Sequence, residues 1–117
     1  NELGDGPAGL CIDVAHLRMA GSDPVAAIRD YSSVLKYVHY KDVADQTGIE
    51  GPARFDSFRP LGEGIVDLPA VTAQLLADNY AGIVIIELDS SDQEAEAALQ
   101  SSVAYIRELG LELIPAL

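Results

Sequence analysis

Three short apolar runs punctuate the chain, and each has the length of a β-strand. They are Gly9–Val14, Val34–Tyr40 and Gly82–Leu88. Each is rich in β-branched or aromatic residues, which suit a pleated surface. The third is nearly continuous in Ile and Val, the pattern of a parallel strand buried on both faces. Between the runs the period changes to that of a helix. Asp23 followed by Pro24 reads as an N-cap with proline at the first helical position, and Val25, Ile28, Tyr31 and Leu35 follow at helical spacing. Asp67 caps a second helix with Leu68, Val71 and Leu75 on one face, and Gly82 lies past its end. Ser91-Asp92-Gln93-Glu94 reads as a capping box. After it, Ala95, Leu99, Ser102, Ile106 and Leu109 run down one side to a stop at Gly110. Leu111–Pro115 is too short to assign but apolar enough to pack on something.

The order is therefore β-α-β-α-β-α, which predicts an α/β fold with a parallel sheet and right-handed crossovers. Residues 1–117 read as one segment. From Val43 to Val66 the chain is polar and broken by Gly48, Gly51, Pro52, Pro60, Gly62 and Gly64. A long loop of this kind is expected to be functional or disordered.

Composition narrows the function. Seven Lys and Arg stand against 19 Asp and Glu, a formal net charge of −12. That balance repels phosphate backbones and anionic membrane surfaces. A hydrophobic fraction of 49% supplies a core and argues against global disorder. One cysteine cannot form an internal disulfide. Asn1–Pro7 has neither the basic nor the apolar region of a signal peptide, and the absence of an initiator Met suggests a trimmed chain. No apolar run approaches the roughly 20 residues of a membrane-spanning helix. A cytoplasmic protein is expected.

The candidate chemistry collects where the strands end. Side chains alternate along a strand, so Cys11 and Asp13 share a face, as do Tyr37, His39 and Lys41, and Ile83, Ile85, Glu87 and Asp89. Asp13, His39 and Glu87 then lie along the carboxyl edge of the sheet, where α/β proteins build their sites. An Asp, a His and a Glu converging there suit a divalent metal: Mn²⁺, Co²⁺, Fe²⁺ or Zn²⁺, and less readily Mg²⁺. Each residue also has a plainer reading. Asp13 could be a helix cap and His39 a hydrogen-bonded structural residue. Glu87 follows four aliphatic residues, where an unpaired carboxylate costs several kcal/mol, so it wants a metal, a cation or an Arg/Lys partner. His16, in the loop leaving the first strand, could touch substrate or simply face solvent. Lys41 could hold an oxyanion or sugar hydroxyl, or pair with Asp42 or Asp89. Gly62-Glu63-Gly64 is no phosphate loop, Cys11 reads as a small core residue, and no nucleophilic-serine motif is present.

Four of these segments together resemble one family. Cys11-Ile12-Asp13-Val14-Ala15-His16 is similar to the Asp-x-x-His segment of the xylose isomerase-like TIM barrels. His39-Tyr40-Lys41-Asp42 resembles their His-x-Lys-Asp strand end. Leu61–Asp67 resembles their Gly-Glu-Gly-x-Val-Asp loop, and Ile85–Asp89 their last-strand Glu. The nearest types are sugar phosphate isomerase/epimerase and inosose dehydratase, and the likeness runs over nearly all of residues 9–109.

The resemblance implies a (β/α)₈ barrel, with these strands the sixth, seventh and eighth. A full barrel takes about 250 residues, so 117 residues are about three βα units and an incomplete barrel. It also implies Asp13, His39 and Glu87 as metal ligands, with Mn²⁺ the leading metal. Glu87 would in addition be the catalytic acid/base, and His16 would bind substrate; Lys41, on the face it shares with His39, is the second substrate-binding candidate from the residues themselves. The family's fourth ligand is a Glu on the preceding strand, and no residue here takes that role. The expected activity is metal-dependent sugar or polyol isomerisation or epimerisation by proton transfer through an enediolate. Inosose-type dehydration, a lyase reaction, is the alternative.

A DNA-repair nuclease of the same superfamily is disfavoured by two histidines and the negative charge. A non-catalytic module binding sugar or a partner chain is the alternative of another class. Partners expected are a small sugar or polyol, no nucleic acid and no membrane. The rest of the barrel, another chain or a homo-oligomer would cover the open sheet edges.

Overall fold

The computed structural model describes residues 6–114. Residues 1–5 and 115–117, and so most of the N-terminal stretch read above and Pro115, lie outside them. Along the chain run β1 (Leu10–Asp13), α1 (Val14–Met19), α2 (Pro24–Asp30), β2 (Leu35–Tyr40) and β3 (Asp42–Val43). A 3₁₀ turn (Gly51–Asp56), β4 (Phe58–Arg59), α3 (Leu68–Ala77), β5 (Ile83–Ile86) and α4 (Ala95–Glu108) follow.

The three expected strands form one parallel sheet in the order β1-β2-β5. Asp13 pairs in register with His39, and His39 with Ile85. Alternation then sorts the two faces. Ile12, Val38 and Tyr40 turn to the helices and are buried, in one core with Ile28, Leu68, Val71 and Ile106. The Tyr40 hydroxyl meets the Thr72 hydroxyl at 2.7 Å and ties the central strand to α3. The opposite face carries Cys11, Tyr37, His39, Ile83 and Ile85. Here β5 departs from expectation, because it is not buried on both faces: Ile83 and Ile85 are 40% and 38% exposed. Cys11 is likewise exposed rather than in the core. Within the described residues, nothing stacks on that inner face.

Local signals explain the helix ends. The Asp23 side chain accepts from Val25 N, and that of Asp67 from Ala70 N, so both expected N-caps form. Gly110, at φ +81°, takes the left-handed conformation just past α4. Other expectations are corrected. Ser91–Glu94 makes no capping box: Ser91 Oγ accepts from Gln93 N instead, and Glu94 caps α4 with its backbone alone. The inward stripe of α4 is Ala98, Ser102 and Ile106, while Leu99 is 55% exposed. One residue on from Ala98 is about 100° further round the helix, which turns Leu99 toward solvent. Tyr31 ends α2 and is exposed, and Leu35 belongs to β2. His16 lies in α1, not in a loop, because Asp13 starts a helix at once.

Residues 43–66 are ordered around one side chain. The fully buried Asp42 carboxylate accepts from the backbone N–H groups of Val43, Gly62, Gly64 and Val66, at 2.9–3.0 Å. A Cβ at Gly64 would collide with that carboxylate and with the Val43 carbonyl, so only glycine fits there. Leu61 N donates to the buried Ser102 hydroxyl and fixes the same loop to α4. β3 and β4 pair antiparallel within it. At the far end of the apolar tail, Leu111 packs on the core while Leu113 and Ile114 stay exposed.

Candidate metal centre

The strand ends bring Asp13, His39 and Glu87 together. Asp13 closes β1 and serves as the N-cap of α1: Oδ1 accepts from His16 N at 2.9 Å. The cap and the ligand readings therefore coexist in one carboxylate, with Oδ2 directed to the other charged groups. Register sets His39 beside Asp13 on the central strand. Glu87 lies one residue beyond β5, held by its backbone N–H to the Tyr40 carbonyl at 3.0 Å. His39 Nδ1 and Glu87 Oε2 are 2.6 Å apart.

The three residues each offer one ligand atom, and these atoms all lie within 4.8 Å of one another. Donors about 2 Å from an ion are about 4 Å apart at most, so small side-chain adjustments reach a coordinating geometry. Two carboxylates and an imidazole are a donor set for a divalent first-row metal. The side chains are 16%, 29% and 34% exposed respectively, which leaves the group reachable from solvent.

Lys41 stands beneath this group. It is 1% exposed, and Nζ donates to Asp89 Oδ2 at 2.5 Å. Asp13 Oδ2 and Glu87 Oε2 lie further off, at 3.5 and 3.6 Å. The ammonium also sits 4.4 Å from the centre of the Phe58 ring, a cation–π contact. Burial alone would lower its pKa, but the Asp89 hydrogen bond and the charges of Asp13, Asp89 and Glu87 outweigh it and hold it above the ordinary lysine value. Of the two partners considered for Lys41, Asp89 is the one in contact; Asp42 turns away to the backbone cradle. On the inner face, partial desolvation and the Asp13 and Glu87 charges push the Cys11 thiol up, which disfavours the thiolate.

His16 forms the rim. Its Nδ1 is 3.5 Å from Asp13 Oδ2, and its ring packs beside Phe58 and Phe55, with centroids 5.7 and 6.4 Å away. Phe55 is 57% exposed. Sequence reasoning missed this aromatic pair because both lie in the loop, where no period marks them. It also missed Asp42 as the loop's anchor, although the glycines at 62 and 64 are the signal of a close backbone approach.

The comparisons agree with this architecture. A family model for the xylose isomerase-like TIM barrel matches residues 1–109. The chain belongs to that family. The inosose dehydratase of Clostridium tetani is 27% identical over 111 residues, covering 85% of this chain and 37% of the relative. That of Geobacillus kaustophilus is 27% identical over 118 residues, covering 92% and 38%. Among solved structures, the 3-keto-D-glucoside 4-epimerase YcjR from E. coli is 26% identical with a TM-score of 0.63, covering 86% of this chain and 33% of its own. The IolI protein with a bound zinc atom is similar in fold, with a TM-score of 0.68 at 22% identity, covering 86% and 37%. The chain thus spans little more than a third of the relatives it matches, and its three parallel strands are part of a TIM barrel. The first three of these relatives are enzymes by name, two inosose dehydratases and a 3-keto-D-glucoside 4-epimerase. No helix among the described residues is long and apolar enough to cross a membrane.

Proposed function

We propose that this chain carries the metal-binding and proton-transferring edge of a barrel enzyme that acts on keto-sugars or keto-polyols. It would form the C-terminal three βα units, strands six to eight. The observation that carries the reading is the convergence of Asp13, His39 and Glu87 from three neighbouring parallel strands, with ligand atoms within 4.8 Å. These three would hold the ion, with Mn²⁺ first and Co²⁺, Mg²⁺, Fe²⁺ or Zn²⁺ as alternatives; the zinc in the IolI neighbour supports a divalent metal. Such an ion supplies Lewis acidity that polarises a carbonyl and acidifies the neighbouring C–H.

The chain's own residues do the rest. Glu87 is the acid/base that accepts the proton from the carbon beside the carbonyl. Its contact with His39 Nδ1 at 2.6 Å fixes the orientation of that carboxylate. Asp13 is fixed by the helix N-terminus it caps. His16, 46% exposed at the rim, meets substrate hydroxyls. Returning the proton to the other face epimerises, returning it to the neighbouring carbon isomerises, and expelling a β-hydroxyl dehydrates. Isomerase or epimerase chemistry is the first reading. Inosose dehydration is the second, favoured by the curated relatives at 27% identity.

The test is metal-dependent exchange of substrate C–H in D₂O, with keto-sugars and inososes screened against each divalent ion. Glu87→Gln should lower the exchange rate by about 10²–10⁴-fold while leaving the fold intact. Undiminished exchange in that variant would remove Glu87 from the chemistry.

A further inference from the structure

Lys41 is read from sequence as a substrate contact, but its ammonium is enclosed among Asp89, Asp13, Glu87 and the Phe58 ring. It reaches no open surface. The distances are unequal: Asp89 Oδ2 is in full hydrogen-bond contact at 2.5 Å, whereas Asp13 Oδ2 and Glu87 Oε2 stand at 3.5 and 3.6 Å. We propose that Asp89 is a positioning residue that tethers the buried Lys41 ammonium away from Asp13 and Glu87, and so keeps those two carboxylates free to bind a divalent cation.

The argument is one of alternatives. A buried ammonium must have an acceptor. With Asp89 present it has a strong, charge-assisted one. Without Asp89, and with an aromatic face on another side, its nearest acceptors are the two carboxylate oxygens about one ångström further off. Moving onto them would occupy lone pairs that the metal needs and place a like charge beside the ion. One ammonium against three carboxylates also leaves two net negative charges, the complement of a divalent ion. Asp89 is 49% exposed, so replacing it does not open a core.

The inference rests on the proposed metal centre, and the experiment separates the two. Mn²⁺ affinity of the intact protein is measured by titration calorimetry and by electron paramagnetic resonance, with thermal midpoints alongside. Asp89→Asn should weaken Mn²⁺ binding by about 10- to 100-fold, the scale of lost support around metal ligands, with the midpoint nearly unchanged. Adding Lys41→Met, which keeps the buried volume without the charge, should restore affinity to the wild-type level or above. Asp89→Ser repeats the test without introducing an amide. Wild-type protein that binds no Mn²⁺ sinks the metal centre and the tether with it. Wild-type binding with unchanged affinity in Asp89→Asn and Asp89→Ser overturns the tether alone. So does loss that Lys41→Met fails to rescue in a folded double variant.

Discussion

Lys41 and Asp42 are consecutive, oppositely charged and both buried, yet they belong to two different regions. Lys41 is 1% exposed and draws its compensation from side chains that themselves belong to the candidate site. Asp42 is fully buried and draws its compensation from four backbone N–H groups of its own loop. The first arrangement uses charges that the proposed chemistry needs, so we assign it to function. The second uses fixed backbone dipoles that have no other task, so it belongs to folding. One peptide bond separates them because a strand presents successive residues to opposite sides. The strand end thereby feeds the candidate metal centre with one side chain and anchors the long loop with the next. Substitutions on the two sides should consequently fail in different ways: stability for the loop cradle, metal binding and turnover for the site.

The largest effect is expected at Asp42. Asp42→Asn places an NH₂ among donors and leaves some of the four N–H groups unpaired, two of them, on Val43 and Val66, in buried bonds, each costing about 1–3 kcal/mol where buried. A loss of about 3 kcal/mol or more is expected in urea unfolding. A variant within 1 kcal/mol of wild type breaks the assignment of Asp42 to folding. Gly64→Ala tests the same cradle from the other side. Its methyl would meet the Asp42 carboxylate and the Val43 carbonyl, and relieving that overlap should cost about 1–3 kcal/mol. The metal-site variant Glu87→Gln is the counterpart, with turnover lost and unfolding midpoint nearly kept. If Gly64→Ala instead altered Mn²⁺ affinity at constant stability, the two regions would not be separable.

The same division explains what could be read from the chain alone. The three strands, their shared faces and the convergence of Asp13, His39 and Glu87 follow from period-two alternation, which depends only on backbone geometry. The caps at Asp23 and Asp67 were equally visible, because an Asp before Pro or Leu at a helix start makes a local bond. Burial was not legible in β5. Ile83 and Ile85 have the composition of a strand covered on both sides, but composition cannot reveal that one face turns to a barrel interior which the described residues do not fill. Leu99 misled the α4 stripe for a similar reason: the helix is turned by what Ser102 and Ile106 meet across the core. The loop looked irregular because its order comes from a carboxylate about 20 residues away, a non-local bond that no period marks. The tie between Lys41 and Asp89 is non-local too, which is why sequence could offer two partners and not choose.

A neutral group at the opposite end of the strands sharpens the contrast by the smallest expected effect. The Tyr80 hydroxyl lies 2.8 Å from the Lys36 carbonyl and 2.9 Å from that of Ile83, bridging the entry ends of β2 and β5. Burial is the main cause that pushes its pKa up, to about 12 from the ordinary 10, with smaller contributions from neighbouring titratable groups. The folded state therefore prefers the protonated phenol. Its stabilising contribution is complete below pH 10, the unfolded value, and is lost as pH rises from 10 through about 12. Tyr80→Phe deletes the titrating proton together with about 1 kcal/mol of hydrogen bonding. The stability difference between wild type and variant, followed by urea unfolding from pH 8 to 12, should be constant up to pH 10 and then shrink. Taking the difference removes the titration of Tyr105 and the part of Tyr40's that is independent of Tyr80, both of whose pKa values burial also raises. Mn²⁺ affinity at neutral pH should not change in Tyr80→Phe, since the strand entry ends hold structure while the exit ends hold the charged site. A variant that loses metal affinity would show that the two ends of the sheet are coupled.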